Sequence, residues 1–341
     1  MLLIDAIYIN TGGGKILLDY LVEELEKTQI PVFYLLDTRI QDNPYSIKST
    51  NKVQYMDSSL FKRYMFYRKN KNCFSKVLAF GNVPPPIRLK AEVLTYFHGA
   101  SYIYVSSTDF SLKENFMYLL KRKFIYLSKR NTDKWIVQSP YVKNKMMSLY
   151  SEKEEKIDII PFFKVLKESS LLVDNFEKEN HTYLFVSNAY KNKNHLRLIN
   201  AFCEFYKKHG KGKLILTVSD KFPEITRLIN RRIKQGFPIQ NIGYVPQDVL
   251  IKYYQKSEYI IFPSTSETFG LGLIEGKEFD CKIIAADLPY TYEVCKPSIT
   301  FNPFLENSIQ KALEKTISLD IVEHAEIIIE NEIQKIIKVL R

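Results

Sequence analysis

Short apolar runs alternate along this chain with segments whose apolar residues recur at helical spacing. Residues 2–9, 31–36, 76–80, 93–97, 134–139 and 157–160 are nearly continuous in apolar side chains. Such runs read as strands buried on both faces, the mark of a parallel sheet. Between them, residues 15–27 carry Leu17, Leu21 and Leu25 on one helical face, and residues 141–150 form a second helix. The rhythm resumes at 183–186 and continues through strands at 213–219, 242–245, 259–262, 282–286 and 298–301. The helix that follows residue 195 places Leu196, Ile199, Phe202 and Tyr206 on one face and stops at Gly210, a left-handed C-cap. Helices at 250–254, 306–319 and 321–340 complete the pattern. The last carries an apolar stripe that includes Ile321, Ile328, Ile333, Ile336 and Leu340. Strand–helix alternation on this scale predicts an α/β protein with two doubly wound sheets. The domains expected are 1–162 and 182–319, with a mostly polar linker at 163–181 and a C-terminal helix at 320–341 that packs back toward the first domain.

Polar chemistry gathers where strands end, which is where open α/β sheets bind ligands. The first loop, Asn10-Thr11-Gly12-Gly13-Gly14, lacks the Gly-x-Gly-x-x-Gly spacing of dinucleotide binders, and Lys15 is followed by Ile rather than the Ser or Thr of a phosphate loop. His98 ends the strand at 93–97; a lone His there serves structure or a ligand. Lys191 and Lys193 lie in the loop 187–195, at a loop-to-helix junction suited to a phosphate. After the strand at 259–262 comes Pro263-Ser264-Thr265-Ser266-Glu267-Thr268-Phe269-Gly270-Leu271-Gly272-Leu273-Ile274-Glu275. Its hydroxyls can cap a helix and its glycines admit a ligand close to the backbone. A helix start of this kind aims free N–H groups and a positive dipole end at an anion. Glu267 and Glu275 are eight positions apart, a little over two turns if the segment were helical throughout.

Pro-Ser, then Glu, seven residues and Glu, with Phe-Gly-Leu just after the first Glu, resembles the signature of family 4 glycosyltransferases. The resemblance is close over residues 183–304 and weak over 1–160. It implies the GT-B fold, two Rossmann-like domains facing a central cleft, and retaining transfer of a sugar from a nucleotide diphosphate donor. It implies that Glu267 lies by the donor sugar, that Glu275 holds the ribose, and that the amides of Thr268, Phe269, Gly270 and Leu271 meet phosphate and sugar. Lys193 matches the family's phosphate-binding Lys. Asn188 stands where the family usually has an Arg, so the second cation is missing, is Lys191, or comes from elsewhere. Gly243 and Tyr244 fall on the segment that lines the base pocket. Gly13 and Gly14 fall on the glycine-rich first loop that faces the cleft, and His98 on a strand end that touches the donor sugar. Gly272 departs from the pattern, which often has Pro there, as does Glu278-Phe279-Asp280, where small residues are usual.

Composition is that of a soluble globular chain of 341 residues, long enough for two cores. The net charge of +11 is uneven: residues 1–165 carry a net +9. Two stretches, 61–76 and 113–130, mix basic and aromatic residues, and the second reads as an amphipathic helix with a cationic rim. An anionic membrane surface is the partner such a helix suits, and a core-facing helix with snorkelling lysines has the same pattern. Basic-aromatic mixing also fits single-stranded nucleic acid, but no nucleic-acid motif accompanies it, so nucleic acid is not expected as a partner. Four cysteines without metal or redox spacing, and an N-terminus without a basic leader, suggest a reduced, cytoplasmic setting, peripheral on the inner membrane face. No Asp-x-Asp occurs in the chain, so neither a metal ion nor another cofactor is expected. The expected partners are a nucleotide-sugar donor and a glycan or lipid-linked acceptor, as in cell-surface polysaccharide or lipopolysaccharide assembly. A GT-B hydrolase or epimerase acting on nucleotide sugars is the alternative within the fold, and a basic nucleic-acid-binding protein the alternative outside it.

Overall fold

A computed structural model describes residues 1–103, 112–169, 176–318 and 322–341. The chain divides into two units, Met1–Lys164 with Glu330–Arg341, and Val165–Ile329.

The first unit runs β1 (Leu2–Ala6), α1 (Gly12–Glu26), β2 (Val32–Asp37), β3 (Lys52–Met56), α2 (Leu60–Lys69), β4 (Lys76–Ala79), β5 (Glu92–Phe97), α3 (Ala100–Ile103), α4 (Leu112–Ser128), β6 (Lys134–Val137), α5 (Pro140–Tyr150) and β7 (Ile157–Ile159). The seven strands are all parallel, in the order β3-β2-β1-β4-β5-β6-β7. Strand order reverses between β1 and β4. The apolar runs behave as a parallel sheet requires: all five residues of β1 are buried. One of them, Asp5, is charged, and it is compensated. Arg63 Nε donates to Asp5 Oδ2 at 2.8 Å and Tyr67 Oη donates to the same oxygen at 2.6 Å. The guanidinium also donates to the carbonyls of Val83 and Pro84, both at 2.9 Å, so this buried cation pins the turn after β4. Arg63 therefore does not belong to a cationic surface, although it falls in the basic-aromatic stretch 61–76.

The second unit opens with α6 (Leu166–Ser169). It continues through β8 (Glu179–Phe185), α7 (His195–His209), β9 (Lys213–Leu216), α8 (Pro223–Lys234), β10 (Ile239–Asn241), α9 (Gln247–Lys256) and β11 (Ser257–Phe262). Then follow α10 (Leu271–Glu278), β12 (Lys282–Ala286), α11 (Pro289–Tyr292), β13 (Cys295–Lys296), β14 (Ile299–Phe301), α12 (Glu306–Ser318) and β15 (Glu326–Ile327). Six strands form a parallel sheet in the order β10-β9-β8-β11-β12-β14, reversing between β8 and β11. β13 and β15 make a small antiparallel pair. The last helix, α13 (Ile333–Leu340), belongs to the first unit.

Several expectations shift. The stripe of the helix after residue 195 runs through Leu198, Ile199, Phe202 and Phe205, while Leu196 is exposed; Gly210 caps it at φ +62°. The strand expected at 242–245 lies earlier, at β10, because Gly243 turns the chain with φ +67°. The expected polar linker is anchored on the second unit: Leu166 is buried there, and Lys178 Nζ donates to the carbonyls of Tyr254, Ser257 and Phe279. Linker residues 170–175 and the expected helix start at 320–321 lie outside the described residues. The helix expected over 321–340 is helical only from Ile333; before it the chain pairs as β15 and exposes Ile328. Among the described residues no helix is long and apolar enough to cross a membrane.

Candidate functional site

In the second unit the loops after β8 and β11 emerge side by side, because those strands are neighbours at the point where strand order reverses. Backbone and asparagine bonds tie them together. Thr265 N donates to Asn192 O at 2.7 Å, and Asn192 Nδ2 donates to Ser266 O at 2.9 Å. Asn194, buried and left-handed at φ +63°, donates from Nδ2 to Pro263 O and Pro303 O at 3.1 and 2.7 Å. Asn is among the side chains that tolerate this backbone, and its amide satisfies carbonyls that would otherwise be orphaned. The asparagines thus fix the two loops in register.

Between the loops Lys193 Nζ donates to Glu267 Oε1 at 2.5 Å, with the lysine 23% and the carboxylate 11% exposed. A charge pair this dry is stronger than one in water, and the ammonium has further donors to offer an incoming anion. Glu267 lies in the loop and not on a helix. α10 starts only at Leu271, with Gly270 as its N-cap at φ +98°, and no side chain caps it. The hydroxyls of 264–266 therefore do not serve as caps: Thr265 Oγ1 donates to Asn192 O at 3.3 Å. Within that first turn Leu273 N donates to Gly270 O at 2.9 Å, and no side chain competes with an anion for the helix start.

Glu275 sits a turn further along α10, buried. Burial raises its pKa, opposed by the hydrogen bond that Tyr254 Oη donates to Oε2 at 2.5 Å. The depth of α10 is set by Gly276: a Cβ there would stand 2.3 Å from Ile260 Cγ1, so the helix lies directly on β11. Gly272 faces the ring of Phe262, which a Cβ would meet at 3.2 Å.

Thr268, Phe269, Gly270 and Leu271 thus lie beside Lys193 and Glu267. Asn188 lies in the same β8 loop, where its carbonyl accepts from Ser187 Oγ and Tyr190 N, both at 3.0 Å. Gly243 and Tyr244 follow β10, two strands from β8 at the sheet edge, and Tyr244 is 85% exposed.

In the first unit the corresponding reversal, between β1 and β4, holds the other expected residues. Gly12, Gly13 and Gly14 are not a loop: they form the first turn of α1, after extended Thr11. A Cβ on Gly14 would stand 2.5 Å from His98 Cε1, so this glycine makes room for the imidazole. His98 Nε2 lies 3.0 Å from Phe80 O, which can only accept, so this nitrogen carries the proton. Burial against Phe80 and Tyr96 drives the ring pKa down to about 4, the carbonyl bond opposing, and holds the imidazole neutral. Asn82, at φ +67°, receives the His98 N–H at 2.6 Å. Sequence reasoning missed Tyr254, Asn192, Asn194 and Asn82, each a partner of a site residue or of its loop. Two of the asparagines carried one signal: Asn82 and Asn194 sit in loops that follow strands, with left-handed backbone, which Asn tolerates better than most residues.

Two parallel, doubly wound sheets with loops of this kind define the GT-B fold. Solved structures similar to this chain share it. Sucrose-phosphate synthase from Thermosynechococcus elongatus superposes with a TM-score of 0.72 at 16% identity, covering 93% of this chain and 89% of that one. HepE from Anabaena, solved with UDP and glucose, gives 0.65 at 13%, with the same coverage. Residues 171–335 match the model of the family described as glycosyl transferases group 1. A curated relative, alpha-monoglucosyldiacylglycerol synthase of Acholeplasma laidlawii, is 27% identical over 190 residues, 52% of this chain. The chain spans about half, 45%, of that relative's length.

Proposed function

We propose that this chain is a glycosyltransferase that moves a sugar from a nucleotide diphosphate donor to a hydroxyl of a glycan or lipid-linked glycan acceptor, with retention of configuration. The observation that carries this reading is the Lys193–Glu267 pair beside the uncapped start of α10, inside a glycosyl transferases group 1 domain. The transition state of such a transfer separates a departing diphosphate from a cationic sugar ring. Lys193 and the amides of Thr268–Leu271 would take the charge on the diphosphate, which is the larger catalytic term. Glu267, released from Lys193 as the lysine turns to phosphate, would hold sugar hydroxyls and favour the ring cation. Glu275 would hold the ribose, and the neutral His98 would contribute a hydrogen bond rather than a charge. Asn188, Gly13, Gly14, Gly243 and Tyr244 complete the proposed donor contacts.

Transfer would need no metal ion or other cofactor, since the lysine and amides supply the positive charge. UDP and glucose bound to HepE, and the glycolipid named for the curated relative, support a nucleotide-sugar donor and a lipid-borne acceptor. We place the enzyme in the cytoplasm, peripheral on the inner face of an anionic membrane, in cell-surface polysaccharide or lipopolysaccharide assembly. A thermal-shift screen of purified protein against nucleotide sugars tests the reading. One donor should raise the midpoint and be consumed when glycolipid extract is added. Absence of any shift across the common nucleotide sugars would overturn it.

A further inference from the structure

α4 wears its amphipathicity outward. Of its 17 residues only Ile125 and Ser128 are buried. On the opposite side, Leu112 (90% exposed), Phe116 (58%), Leu119 (55%) and Leu127 (60%) stand in the open. These positions are spaced i, i+4, i+7 and i+15, so they form one stripe, which Lys123 at i+11 shares. A soluble helix normally turns such a stripe to the core. Around it lie Lys113, Lys121, Arg122, Lys123, Lys129 and Arg130, against one carboxylate, Glu114.

α2 repeats the arrangement on a smaller scale, with Leu60 53% and Phe61 72% exposed. The two helices cover the same side of the sheet. α2 packs Phe66 and Tyr67 into a core that includes Val93, and α4 packs Ile125 into one that includes Phe97. Val93 and Phe97 are four apart on β5 and so point to one face.

We propose that the outward stripe of α4, extended by α2, is the surface by which the first unit docks on an anionic lipid bilayer, and that it does so by inserting apolar side chains among the headgroups. Charge complementarity selects this occupant. Two copies meeting through the stripe would bring their cationic rims together, and like charges resist that. Anionic headgroups neutralise the rim while the acyl boundary takes Leu112, Phe116, Leu119 and Leu127. The assignment deepens the proposed function by presenting the enzyme to a bilayer-borne acceptor. It rests on that reading only for the acceptor; the docking itself stands on the surface alone.

Flotation with phosphatidylcholine vesicles, with and without phosphatidylglycerol, tests it. The full chain should float with the anionic vesicles, and added salt should weaken but not abolish binding, because salt screens the rim and leaves insertion intact. The combined variant Phe116→Ser, Leu119→Ser and Leu127→Ser should lower partitioning at least about tenfold. Since these side chains are exposed and outside the donor site, its thermal midpoint and nucleotide affinity should match the unaltered chain. Binding of the triple variant equal to that of the unaltered chain would overturn insertion, as would equal binding to both vesicle types, binding to neither, or complete release by salt. A concentration-dependent dimer abolished by the same substitutions would reassign the face to a second copy. Vesicle binding without any nucleotide-sugar binding would leave docking intact and sink the transferase reading, and the converse would do the reverse.

Discussion

The two units share a plan and differ in what they place at its focus. In each, strand order reverses beside the first strand, and loops from neighbouring strands meet there. In the second unit that meeting point is charged, with Lys193 against Glu267 and Glu275 close behind on α10. In the first unit it is neutral: His98 is held uncharged against Phe80 and Gly14, and the charged pair Asp5–Arg63, with the Tyr67 hydroxyl, is sealed in the core. One topology thus places a charged pair at one focus and a neutral, hydrogen-bonded imidazole at the other. Fold alone does not decide which, and the side chains at the strand ends do.

The largest test of that contrast is Lys193→Ala. Losing the cation at the charged focus should lower turnover by about 10²–10³-fold, the scale of a lost transition-state donor, with little change in thermal midpoint. Glu267→Gln should also lower turnover while sparing nucleoside diphosphate affinity. Steady-state kinetics beside calorimetry separates the two, and near-normal turnover in either variant would remove that residue from the site. Next comes Glu275→Ala, expected to weaken nucleoside diphosphate binding by about 1.5–3 kcal/mol, the cost of a charged hydrogen bond. Tyr254→Phe, which frees Oε2, should weaken it less. Calorimetry with the diphosphate and its 2′,3′-dideoxy analogue checks this, because the analogue should not distinguish the variants.

Backbone approach offers a comparison of the same kind. Gly276→Ala forces a methyl against Ile260 on β11 and should destabilise the fold by about 1–3 kcal/mol. Gly14→Ala presses first on the His98 ring, a side chain rather than a strand, so its stability cost should be smaller and its effect on turnover larger. Denaturant midpoints and kinetics measured on both variants decide the matter. The smallest effect expected is with pH. His98 titrates at about 4 when folded and near 6.5 when unfolded, so the unfolded chain binds the proton first. Stability should therefore be complete above about pH 6.5 and fall as pH drops toward 4, by on the order of 1–3 kcal/mol. His195, pushed to about 3 chiefly by burial, adds in the same direction. His98→Gln should flatten the curve between pH 6.5 and 4.5, and an unchanged slope would mean that His98 is not held neutral.

Much of the fold was legible because parallel strands need apolar residues on both faces, and runs such as Tyr259-Ile260-Ile261-Phe262 have no other comfortable home. The carboxylate loop was legible because its residues are contiguous. Partners brought in from a distance were not. Tyr254 reaches Glu275 across 21 positions, and nothing local marks a Tyr in a helix as a hydrogen-bond donor to a later one. Arg63 looked like surface charge, since a cation among aromatics reads the same exposed or buried until Asp5 is placed against it. The C-terminal stripe misled for a related reason. Ile321 to Leu340 keeps helical spacing, yet the backbone near Glu326 gains more by pairing with Cys295 and Lys296, and only Ile333 onward remains helical.

The return of residues 330–341 to the first unit carries a consequence for how the chain is made. Glu332 N donates to Pro161 O, Asn331 Nδ2 to Tyr20 Oη, and Lys76 Nζ to Val339 O, while Ile336, Ile337 and Leu340 are buried. As the ribosome delivers the chain, the first unit emerges early and lacks α13. The second unit, whose segments all lie between, can close on its own before α13 appears. Until then the first unit exposes the apolar surface beside α1 that α13 will cover. The nascent chain is therefore at its stickiest after the second unit has emerged and before α13 has, and a stop codon a few residues upstream of Ile333 would leave it so.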